Sequence, residues 1–243
     1  MKDYKRIQEA ILSKVTKEID KDFEIKLTKE GVSLFKDDDI VFFSFGCTSS
    51  NDFSFDIKED IEFKVKVNTF WFDVAYFDIE KILCPILVQN TLFGEKITRY
   101  KDIYSSFDSS TKIKNQLPED GMKIESKKEV EHVSSLFMRF YEEDALPYFE
   151  KWHSLTVLYE FIQYKDDEDL WDILGQFAPM KKAVIYRLCN DDSALQLIND
   201  YYQDQKKYYE EDSKDIDNIR YYNASKELKE ILEKTLPIYN VEV

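Results

Sequence analysis

The chain has 243 residues with 37 aromatics, 18 Phe, 16 Tyr and 3 Trp, against only 5 Gly and 5 Pro. The glycines (Gly31, Gly46, Gly94, Gly121, Gly175) are never closer than 15 residues, which excludes glycine-rich phosphate loops and a G-x-S-x-G nucleophile elbow. A formal charge of −15 repels phosphate backbones, so nucleic acid is not an expected partner.

The acid excess is uneven: residues 1–124 carry 19 basic and 23 acidic groups, residues 125–243 carry 15 and 26. No apolar run approaches the ~20 residues of a membrane span. The charged N-terminus, MKDYKRIQEAILSKVTKEID, has no secretory apolar core. Cys47, Cys84 and Cys189 are odd in number and far apart, and so read as reduced thiols in a cytoplasmic protein.

In chain order, Tyr4, Ile7, Ile11, Val15 and Ile19 recur at three or four and predict an N-terminal helix over 3–20. From Phe23 the period becomes two. Phe23, Ile25 and Leu27 alternate with polar residues, and Glu30-Gly31 turns the chain into Val32–Phe35. Asp37-Asp38-Asp39 precedes a strand over Ile40–Phe45, which places Cys47 just beyond a strand end. Phe53, Phe55 and Ile57 pair across Lys58-Glu59-Asp60 with Ile61, Phe63, Val65 and Val67. Phe70–Phe77 is apolar on both faces, as an interior or covered strand would be. Glu80–Gln89 is ambiguous, with Pro85 arguing against a long helix interior, and Thr98–Phe107 reads as a last strand.

The polar stretch DSSTKIKNQLPEDG is the expected linker. Beyond it every period is helical. Val130, Val133, Phe137, Phe140 and Tyr141 line a helix expected to end before Pro147. Further helices carry Leu155–Ile162, Leu170–Phe177 (stopped by Pro179) and Ala183–Leu188. One more follows an Asp191-Asp192-Ser193 cap, and the last bears Ile216, Ile219, Leu228, Ile231 and Leu232. The predicted fold class is α+β: an N-terminal helix on an antiparallel sheet (1–108), a linker (109–124) and an all-α bundle of helical hairpins (125–243).

No chemistry-bearing constellation emerges. Asp166-Asp167-Glu168-Asp169 lacks the alternation and central glycine of a calcium loop and reads as a helix start. His132 and His153 stand 21 residues apart without zinc-ligand spacing, and each cysteine reads as a small packed hydrophobe. No metal, cofactor or catalytic residue is assigned. The doublets Tyr201-Tyr202 and Tyr208-Tyr209 are seven apart, so Tyr201 and Tyr208 share one helix face and Tyr202 and Tyr209 another. One ring of each doublet can be core; the other is left partly outside, beside acids. That pattern makes Tyr201, Tyr208, Asp204, Glu210 and Glu211 the candidate partner-binding residues. The plainer reading is that these rings fill gaps between helices.

The segment SSLFMRFYEEDALPYFEKWHSL, which ends at Leu155, joins an amphipathic helix to A-L-P-Y-F and a short Ser-Leu-led helix. With the later ALQLINDYY helix it resembles bacterial families in which an α/β domain precedes a helical tail, some of them toxin-immunity proteins. The resemblance implies an interaction function and carries no catalytic residue. The expected function is thus non-enzymatic binding of a protein with a basic surface, as an immunity-type inhibitor or an adaptor. The competing reading is a hydrolase or nucleotide-processing enzyme with Asp73, Asp78, Asp102 and His132 assembled from scattered positions.

Overall fold

The computed structural model describes residues 13, 17, 19, 23–27, 31–37, 41–53, 63–92, 117–124 and 126–241. The expected N-terminal helix lies outside these except for Ser13, which is helical, and Lys17 and Ile19, in a turn and a bend; the turn at 58–60, the strand at 98–107 and linker residues 109–116 lie outside them too. The chain is α+β, as its two periodicities predict. Five strands, β1 (Glu24–Leu27), β2 (Gly31–Asp37), β3 (Val41–Phe53), β4 (Phe63–Tyr76) and β5 (Met122–Ile124), form a sheet in the order β1-β2-β3-β4-β5. β1 and β2 pair antiparallel with Leu27 opposite Val32, and β4 and β5 pair antiparallel with Val67 opposite Met122.

Several sequence expectations need correction. β3 does not stop near Gly46; it runs on through Cys47 to Phe53. Phe77–Gln89 is a helix, α1, with Pro85 inside it. Proline is tolerated because it lies on the exposed side, while Phe77, Ile79, Leu83, Ile86 and Leu87 supply a buried face that outweighs one lost hydrogen bond. Nor does Pro147 stop its helix. The chain passes from α2 (Lys127–Phe140) through a π-helical turn, Tyr141–Ala145, into α3 (Leu146–Lys151). The Leu146 amide donates to the Tyr141 carbonyl, five residues back, so the turn widens immediately before the proline.

The described residues divide into two compact units. The first takes in residues to Asp38, Phe43–Asp73 and Ser109–Lys151. Its core is aromatic. Phe70 lies 5.4 and 5.2 Å from the rings of Phe137 and Phe140, and Phe72 lies 5.6 and 4.3 Å from Phe140 and Tyr148. β4, flanked by β3 and β5, supplies Phe70 and Phe72, in keeping with its doubly apolar sequence.

β5 reaches β4 through a turn that only glycine fits. Gly121 has φ +77°, and a Cβ there would lie 2.7 Å from the Val67 carbonyl oxygen. Gly121→Ala combines a left-handed backbone with that clash and is expected to cost about 2–3 kcal/mol, read as a lowered urea midpoint. A loss below about 0.5 kcal/mol would show that the turn relaxes freely.

The second unit comprises Asp39–Phe42, Val74–Asp108 and Trp152–Val243. After α1 come α4 (Leu155–Ile162), α5 (Asp167–Leu174), α6 (Ala178–Leu188), α7 (Ala194–Glu211) and α8 (Ile216–Leu232). Their starts follow from sequence. Ser154 caps α4, Asp166 accepts the Asp169 amide at 2.9 Å to cap α5, and Asp215 caps α8. Pro179 opens α6 instead of closing α5, whose end is set by Gly175 at φ +63°. Asp191 locks the α6–α7 turn, accepting from Tyr159 Oη at 2.7 Å and from the Ser193 amide and hydroxyl at 2.8 and 2.6 Å. The C-terminal segment is tied back: the amides of Ile238 and Tyr239 donate to the Leu188 carbonyl, and Tyr239 Oη donates to Asp78 at 3.1 Å.

Candidate functional site: the tip of the C-terminal hairpin

α7 and α8 form a hairpin, and their facing sides explain most of the tyrosines. Tyr222 of α8 stacks on Tyr209 at 4.7 Å with an 8° interplanar angle, and on Tyr202 at 5.8 Å. A hydrogen bond with Tyr202 holds the Tyr222 phenol above its ordinary pKa. Tyr202 and Tyr209 thus share a face, as their seven-residue spacing requires, and it is the inter-helix face. Tyr221 lies 6.1 Å from the buried Phe177 ring.

The five candidate residues separate. Tyr201 is half-buried, its phenol pushed well above the ordinary range by burial and by Tyr221. Tyr208 is 51% exposed, and Asp204, Glu210 and Glu211 are exposed. Sequence reading missed Ile216, which is 56% exposed at the start of α8. It had counted as one of the helix's lining residues; the signal against that was its place next to the Asp215 cap, before the buried stripe begins.

Tyr208 and Ile216 flank the tip of the hairpin. Residues 208–217 hold five carboxylates, Glu210, Glu211, Asp212, Asp215 and Asp217, against one lysine, Lys214. The whole hairpin, 194–232, has nine acids and six bases, so its acidity concentrates at the tip. The tip is also pre-shaped. Asp215 Oδ1 accepts the amides of Asp217 and Asn218 at 2.8 and 3.0 Å, and Asp212 accepts the Lys214 amide at 3.0 Å. Asn218 Nδ2 donates to the carbonyls of Tyr208 and Asp212 at 3.1 and 3.3 Å, tying the first turn of α8 to the last turn of α7. A surface ordered in advance loses less side-chain and loop entropy on binding.

The residues nominated for catalysis are placed otherwise. Asp73 is half-buried on β4 and His132 exposed on α2, both in the first unit. Asp78 belongs to the second unit, where it accepts Tyr239 Oη and pairs with Lys81 at 3.5 Å. Asp102 lies outside the described residues. Cys84 and Cys189 are buried, and burial pushes the Cys189 thiol up to about 12, far from a nucleophilic thiolate. His153 is exposed in the bend before Ser154, next to the start of α4. Among the described residues, no three or more His, Cys, Asp or Glu gather into a metal-binding group. No helix among them is long and apolar enough to cross a membrane.

Comparison with protein-family models, with curated proteins and with solved structures gives no match to this chain.

Proposed function

We propose that the protein is a non-enzymatic binding protein, an immunity-type inhibitor or an adaptor in the cytoplasm, that docks a basic protein through the tip of its C-terminal hairpin. The observation that carries this reading is a hydrogen-bonded turn displaying Tyr208 and Ile216 among five carboxylates. Exposed aromatic and aliphatic anchors within a charged rim are what protein partners bury. The carboxylates speed encounter with a basic surface and exclude acidic ones. Tyr208, Glu210 and Glu211 are contact residues in this reading, Asp204 lies at the rim, and Tyr201 supports the helix from behind.

Capture from the native cell on the immobilised full-length chain tests it, with Tyr208→Ala/Ile216→Ala run in parallel. A partner held by the wild type is expected to bind the double variant about 30-fold more weakly, with helix content unchanged. Glu210→Lys/Glu211→Lys slows association and flattens its salt dependence. Equal capture by wild type and double variant, or capture of chaperones alone, would contradict the proposal.

A further inference from the structure

We infer that the outward face of α5, centred on Trp171, is a second docking surface, and that it takes an arginine-rich segment of a protein partner. Trp171 is 52% exposed although Leu170, Ile173 and Leu174 of the same eight-residue helix are buried. The helix therefore has a satisfied core face, and the indole stands outside it, at the edge of that stripe. Tyr164, two residues before the cap, is 91% exposed. This stretch is the most acidic in the chain: residues 160–172 hold six carboxylates against Lys165 alone.

The placement suits a planar cation. A helical side chain covers the turn N-terminal to its own Cα, which for Trp171 carries Asp167 and Glu168, both exposed; Asp172 follows it. Gly175, one turn after Trp171, has no side chain, and a Cβ built there meets nothing within 4 Å, so the space beside that position is open. Indole is the best aromatic face for a cation, and a guanidinium both stacks on it and bridges a carboxylate bidentately. Where α4 meets α5 a cation is already held in this way. Lys165 Nζ sits 5.1 Å from the centroid of the Phe161 ring and 3.4 Å from Asp169 Oδ2. One lysine leaves the remaining carboxylates and the indole to an external ligand.

Charge selects the occupant. A second copy of this chain, at −15, would set carboxylates against carboxylates in a symmetric contact. A basic peptide meets both features of the face. The inference does not depend on the hairpin tip: different residues on different helices carry it.

Titration of the full-length protein with hexa-arginine and hexa-lysine peptides at physiological salt, followed by calorimetry and the Trp171 indole proton resonance, provides the test. Hexa-arginine is expected to bind more tightly than hexa-lysine and to shift that resonance. Trp171→Ala is expected to weaken hexa-arginine binding about tenfold, and Trp171→Phe by less. Glu142→Gln/Glu150→Gln, exposed acids of the first unit that belong to neither surface, changes it by no more than about twofold, the effect of general charge alone. Equal binding of the two peptides, an unshifted indole, or equal losses in the Trp171 and Glu142/Glu150 variants would overturn the inference. So would sedimentation showing a dimer that Trp171→Ala dissolves. Because Trp171 lies outside the core, unchanged thermal unfolding of the variants shows that these readings concern binding.

Discussion

Replacing Glu80 with glutamine is expected to make the protein more stable relative to wild type as pH rises from 5 to 8. Glu80 lies on α1 at 1% exposure, and among the described residues neither carboxylate oxygen has a hydrogen-bond partner. Burial raises its pKa from 4.5 to about 8, against an opposing pull from the Lys181 ammonium of α6. Lys181 is itself 2% exposed and donates to the Leu174 carbonyl at 2.6 Å, closing the end of α5; burial pulls its pKa down. Between pH 4.5 and about 8 the native state therefore keeps a proton on Glu80 that the unfolded chain has lost. Native stability from this group is complete below pH 4.5 and falls until pH passes about 8. The fall amounts to about 5 kcal/mol, which glutamine, unable to ionise, removes. Urea midpoints of both proteins at pH 5, 6.5 and 8 measure the difference. Lys181→Met supplies a second signature: without the cation, Glu80 holds its proton to higher pH, and the fall extends upward. Parallel wild-type and Glu80→Gln curves would mean that water reaches the carboxylate.

A comparable loss is expected from Phe140→Ala in the first unit. Phe140 is fully buried, stacks on Phe72 at 19° and 5.6 Å, and lies 5.2 and 6.2 Å from the rings of Phe70 and Phe137. It is also the last residue before the π-helical turn, so the cavity would open beneath the widest point of the helix. The cost is about 3–5 kcal/mol, from lost transfer energy, the void and the ring contacts together. Phe140→Leu keeps most of the volume and costs about 1 kcal/mol. Thermal and urea unfolding followed by near-ultraviolet circular dichroism measure both, and a loss under 1 kcal/mol from the alanine variant would show that this core repacks.

Much of the architecture was legible because period and caps are local properties. The alternation at Phe23–Leu27 led to β1, and Asp166, Ser154 and the Asp191–Ser193 turn marked helix starts that the structure bears out. Prolines misled because their effect depends on which side of a helix they occupy and what flanks them. Pro85 is exposed on a helix with a strongly buried face, Pro147 follows a π-helical turn, and Pro179 lies in the first turn of α6. None of this is contained in the residue itself.

The tip was half legible. The seven-residue tyrosine spacing correctly grouped Tyr202 with Tyr209, but not the partner ring, Tyr222, which takes both into the hairpin. Ile216 sits among the apolar residues of α8 in the sequence but is exposed, because hydropathy cannot distinguish a buried stripe from a residue just off it. Glu80 reads as an ordinary solvated acid until α6 is laid against it, since its burial arises from tertiary packing.

Hydrogen exchange on the full-length chain, free and in complex with a protein captured by the wild type, tests the central claim most directly. Slowed exchange concentrated over residues 204–217, absent for Tyr208→Ala/Ile216→Ala in the same mixture, is the predicted result. Unchanged exchange at those residues, with protection appearing only elsewhere on the chain, would contradict it.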